Sequence, residues 1–159
     1  MTLEPSQVAR MQFLARVVGK ECYHLSGTDQ RLFSQPFTRI QVSQLESDID
    51  LAERVEAFVG RFSRLQDTLG DKLLPVLLSA LGERATSAID NLDLAERLGW
   101  VASVDEWMTI RNLRNQMVHE YVEDPIVLAS ALQAGHDFVQ TLIATADKMI
   151  AEIDQRGWL

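Results

Sequence analysis

One cysteine, Cys22, stands in 159 residues, so neither an internal disulfide nor a cysteine-built metal site is available to this chain. Four prolines and eight glycines are too few for a low-complexity linker, and no repeat runs along the chain. Long apolar runs are missing as well. The longest uncharged one, Leu73 to Leu81, is too short to span a bilayer and holds Pro75. The first residues, Met1-Thr2-Leu3-Glu4-Pro5, lack the basic and apolar regions of a secretory signal. The expected location is therefore the cytoplasm, with no membrane partner. Positive charge is also in short supply: 15 Lys and Arg against 23 Asp and Glu give a net charge of −8. That balance speaks against broad binding to nucleic acid, which lives on phosphate neutralisation, and no DNA partner is expected. It leaves room for a local basic pocket, because salt confines fields to about 8 Å. An acidic surface also suits docking to a basic partner.

What is present is helical periodicity. Nearly half of the residues are hydrophobic, enough for one self-sufficient domain over residues 1–159. Strand-like alternation is absent. Val8, Met11, Leu14, Val18, Cys22 and Leu25 follow a three-four spacing, and Gly27 is the expected stop, with a loop from Thr28 to about Phe37. A second stripe runs through Ile49, Ala52, Val55, Val59, Phe62, Leu65 and Leu69, and Gly70 and Pro75 mark a break or bend before Leu81. Asn91 is placed to cap a short helix from Leu92 to Leu98, closed by Gly99. Ser103-Val104-Asp105-Glu106 has the spacing of a capping box and starts a helix running to about His119 or Tyr121. Asp124-Pro125 opens the last helix, whose seam is Leu128, Leu132, Gly135, Val139, Leu142, Ala146, Met149 and Ile153. The expected fold class is an all-α bundle of about five helices.

Chemistry concentrates in Arg111-Asn112-Leu113-Arg114-Asn115-Gln116-Met117-Val118-His119-Glu120-Tyr121. On a helix, at about 100° per residue, Arg111, Asn115 and His119 share one stripe, and Arg114 and Tyr121 share another. Arg114 and His119 then point about 140° apart and cannot both reach one phosphate from a single straight helix. Two arrangements resolve this. The helix ends near His119 and the chain before Pro125 turns the imidazole back, or a second protomer contributes its own copy. A plainer reading also stands: Arg111 and Arg114 pair with Asp105, Glu106 or Glu120 on a solvated face.

The spacing Arg114-x4-His119-x-Tyr121 resembles the R-x4-6-H motif of HEPN-domain proteins, and among them the R-x4-H-x-Y form of HepT-like toxins. The resemblance implies a homodimeric, HEPN-like helical bundle with the site in a cleft between protomers. It implies an endoribonuclease toxin whose antitoxin is a minimal nucleotidyltransferase, with RNA as substrate. The residue types suit cleavage without metal or cofactor. A 2′-hydroxyl attack on phosphorus needs a group that moves protons near neutral pH, and His119 is the motif's candidate. It needs positive charge aimed at the phosphorane, which Arg114 supplies as a planar fork. Asn115 orients His119 or binds a phosphate oxygen, and Arg111 is a candidate RNA contact. By the same resemblance Tyr121 is an acceptor for AMP groups transferred by the partner; the alternative is a ring that closes the helix against the core. The second reading of the chain is a non-catalytic binding module that docks a nucleotidyltransferase and presents its substrate. The segment from Leu25 to Ile40 is longer than this family's pattern suggests.

Outside the motif the expectations are structural. Arg64 and Asp67 can pair at i,i+3; Arg61 and Arg64 are read as a solvated face, the alternative being that they line the same cleft and supply its positive charge. His24 and His136 stand without companions. Trp100 and Trp107 pin the entry of the motif helix to the core, and Trp158 is a partner contact or a frayed end.

Overall fold

The computed structural model describes residues 2–83 and 87–159, with backbone alone for residues 120–123. Among the described residues the chain is all-α. Its segments are α1 (Pro5–Leu32), α2 (Arg39–Ser43), α3 (Ile49–Asp67), a π-helical turn (Thr68–Leu73), α4 (Leu74–Ala80), α5 (Ala88–Arg97), α6 (Val104–Glu123) and α7 (Pro125–Gln155). The run α3, π turn and α4 is unbroken, so the bundle holds six helical rods where five were expected, the extra one being the five-residue α2. Helices α1, α3, α6 and α7 form a four-membered ring, each packed on its neighbours, and α4 and α5 close one end. No helix among the described residues is long and apolar enough to cross a membrane.

The seams follow the apolar spacing. All eight expected positions of α7, from Leu128 to Ile153, are buried. On α3 the first two positions of the stripe depart: Ile49 is 71% exposed and Ala52 half-buried, because they open the helix beyond the reach of the core. Helix starts are set by side-chain oxygens: Asp48 Oδ1 accepts from the Leu51 N–H at 3.0 Å, Ser103 Oγ from Glu106 at 3.0 Å, and Asp124 Oδ1 from Ile126 at 3.0 Å. Ser87, not Asn91, caps α5; Asn91 lies within the helix and is buried there. Gly99 ends that unit with φ +82°, as a left-handed stop requires.

Gly27 does not stop α1, which continues through it to Leu32. Tertiary contacts outweigh the local signal. Leu25, Thr28, Asp29 and Leu32 are all buried, and a Cβ at Gly27 would meet nothing, so the glycine merely faces outward. The expected loop shrinks accordingly, and α2 occupies part of it. The Phe37 N–H donates to Gln133 Oε1 at 3.1 Å, fastening this connection to α7.

The expected break at Gly70 and Pro75 takes the form of the π turn. Pro75 has no N–H to give the carbonyl four residues back, and its ring crowds that turn. One widened turn absorbs the mismatch, with Leu74 N–H bonding Leu69 O, and the rod goes on. Gly70 sits in that turn directly beneath Trp107, whose indole a Cβ would approach to 3.2 Å. Trp100 and Trp107 are both buried and hold the start of α6 to the core, as expected.

Candidate functional site

Helix α6 carries the motif and is continuous to Glu123, beyond both expected ends. Its inward face is Trp107, Ile110, Leu113 and Met117, all buried against α3 and α7. That register fixes where the polar residues go. Asn112, Asn115, Gln116 and His119 are exposed, and Arg111 and Arg114 are half-buried on the flanks. Because the helix does not end at His119, a turned-back imidazole is excluded as the way to join it to Arg114 within one chain.

Arg114 lies in the groove between α6 and α3. Its Nη2 donates to Asp67 Oδ2 at 2.9 Å and its Nη1 to the neighbouring Asn115 Oδ1 at 3.4 Å. Its Nε is buried without a hydrogen-bond partner among the described residues. Asp67 thus pairs across helices, not with Arg64 on its own helix. Asp67 is the last residue of α3, directly before the π turn, and faces α6; its i,i+3 spacing to Arg64 hid this in the sequence. Asn115 Oδ1 accepts from the arginine, and no bond from Asn115 to His119 is formed among the described residues. The side chain of Tyr121, and with it the acceptor assignment, lies outside the described residues, as does that of Glu120.

No family model matches the chain, and no curated protein or solved structure does. The chemistry open to the site follows from its own residues. Exposed His119 offers proton transfer, and half-buried Arg111 and Arg114 offer anion stabilisation. Among the described residues no group of His, Cys, Asp and Glu is arranged to hold a metal ion. Apolar surface borders the motif, since Val118 is 42% and Ile126 55% exposed.

Two further clusters complete the charged interior. Glu21 on α1 accepts from Thr68 Oγ1 at 3.0 Å, and burial pushes its carboxyl above the usual carboxylate range, against the opposing pull of that bond, Arg64 and Lys72. His136 does have a companion: its Nδ1 lies 2.6 Å from Asp29 Oδ1, and its ring stacks on Phe33 with centroids 4.3 Å apart. That pair ties α7 to the extended end of α1.

Proposed function

We propose that this chain is a HEPN-like, metal-independent endoribonuclease, the toxin partner of a minimal nucleotidyltransferase antitoxin, acting as a homodimer. The observation that carries the reading is the disposition of Arg114 and His119 on one unbroken helix. Each chain offers one exposed histidine and one restrained guanidinium, facing different ways. In-line cleavage of RNA needs two proton transfers. A neutral imidazole takes the 2′-hydroxyl proton as the O2′–P bond forms, and an imidazolium gives one to the departing 5′-oxygen as the P–O5′ bond breaks. Two copies related by a two-fold axis supply both, with guanidinium charge on the phosphorane oxygens. The exposed Val118 and Ile126 give such a pairing apolar area beside the motif.

The Asp67 ion pair and the net charge of −8 favour a second reading, a non-catalytic module that docks a nucleotidyltransferase and presents its substrate. In that reading Arg114 is a strut between α3 and α6.

The deciding experiment incubates purified protein and His119→Ala with single-stranded RNA, in EDTA and without it. The ribonuclease reading expects cleavage by the wild type in both buffers, 2′,3′-cyclic phosphate ends, and a loss of at least about a hundredfold in the variant. Intact RNA under every condition, from folded dimer, gives the docking module precedence.

A further inference from the structure

The extension of α1 past Gly27 builds a groove with α3 that is separate from the α6 motif. Its middle stretch encloses about 380 Å³ and is lined by Tyr23, His24, Thr28, Gln30, Arg31 and Arg61, without a carboxylate. In a chain with 23 acidic and 15 basic residues, this stretch brings two arginines together without a carboxylate. The groove continues on one side to Arg54, where Asp50 and Glu53 also line it, and on the other to Arg64, where Glu21 does.

The polar groups here are held in place. Arg61 Nη1 donates to the His24 carbonyl at 3.3 Å and to Thr28 Oγ1, which pins one nitrogen of the fork to α1. Its Nη2 and Nε have no partner among the described residues, and a guanidinium has donors to spare. Arg31 is exposed one turn beyond Thr28, and its guanidinium likewise has no ion partner among the described residues. Tyr23 stands 77% exposed at the rim, its ring edge-on to His24 with centroids 5.4 Å apart. A large aromatic ring open to water beside two guanidinium groups matches the two faces of a nucleotide: a base to stack and a phosphate to neutralise.

We infer that the α1–α3 groove around Tyr23, Arg31 and Arg61 is a subsite for one nucleotide of a single-stranded RNA, its phosphate on the two arginines and its base on the Tyr23 ring. The choice of RNA as the nucleotide's source rests on the ribonuclease reading; the groove itself does not. Arg64 continues this basic line along α3 towards Asp67, where Arg114 is met. The strand would thus be held at a distance from the bond that is cut, which explains how an acidic protein retains a polyanion.

The test is fluorescence anisotropy with a labelled, fully 2′-O-methylated single-stranded RNA, which binds but has no 2′-hydroxyl to attack. Tyr23→Ala is expected to weaken binding about tenfold. Arg31→Ala is expected to weaken it and to lower the salt slope by about 0.7. Both side chains are exposed, so melting curves should match the wild type. Equal binding by wild type, Tyr23→Ala and Arg31→Ala overturns the subsite. Competition by AMP separates the sources: displacement only at far higher concentration than unlabelled strand supports the strand, and displacement at equal concentration assigns the groove to a free nucleotide and overturns it. Groove-dependent binding without any cleavage by the wild type rejects the ribonuclease reading alone, and cleavage with groove-independent binding rejects the subsite alone.

Discussion

The guanidinium of Arg114 on α6 bonds the carboxylate of Asp67 on α3 at 2.9 Å, so the arginine of the motif is anchored to a different helix from the one that bears His119. Both partners are half-buried, and the arginine's Nε is buried and unpartnered among the described residues. Asp67→Asn leaves a cation in that groove with a weaker partner. It is expected to cost about 1 kcal/mol, the upper end for an ion pair of this exposure. A fall in Tm of about 2–4 °C is the readout. An unchanged Tm means that the pair is restraint without stability.

A Cβ at Gly70 would come within 3.2 Å of Trp107, close enough that the indole, a rigid and buried neighbour, must give way. Gly70→Ala gains helix propensity of about 1 kcal/mol but must push the ring. Overpacking wins, for a net loss of about 1–2 kcal/mol seen in urea denaturation. Stabilisation instead would mean that the π turn relaxes around the methyl group.

Cys22 is half-buried on α1, and burial, with Asp147 and Glu21 adding to it, pushes its thiol up to about 12. The thiolate is the reactive species, so alkylation by iodoacetamide at pH 8 should be slower than for a free thiol by orders of magnitude. Stability linked to this group is present at neutral pH and is lost as pH rises from the ordinary thiol range towards 12. Rapid labelling of the folded protein at pH 8 contradicts that burial.

Glu21 is raised chiefly by burial, so its ionised form is disfavoured in the folded state. Folding then binds a proton, and stability falls as pH rises through the ordinary carboxylate range and the raised value above it. Glu21→Gln keeps an acceptor for Thr68 and removes the charge. Its Tm at pH 7 should exceed the wild type's by about a degree or two, and the gain should vanish near pH 4, where both side chains are neutral. A Tm at pH 7 below that of the wild type would mean that the attraction of Arg64 and Lys72 outweighs desolvation.

How much was legible differs from element to element. The α7 seam, the caps at Ser103 and Asp124 and the stop at Gly99 could be read because each depends on residues within one or two turns. Gly27 misled, because the cost of a glycine on a solvated helix face, about 1 kcal/mol, is outweighed by the burial of Thr28, Asp29 and Leu32 on the other. Asn91 misled in a similar way: Ser87, one turn earlier, had the better position for α5. Of the motif residues, the α6 spacing placed His119 and Asn115 on the exposed stripe, but gave no sign of Asp67 as the partner of Arg114.

The helical class, the main apolar stripes and the spacing of Arg114 and His119 follow from residue order, through helical period and capping chemistry. That α6 runs straight past His119, that Arg114 is tied to α3, and that Arg31 and Arg61 share a groove came from the packing of the helices. Those relations join residues 30 to 47 positions apart in the chain, and no local periodicity encodes which faces of two helices meet.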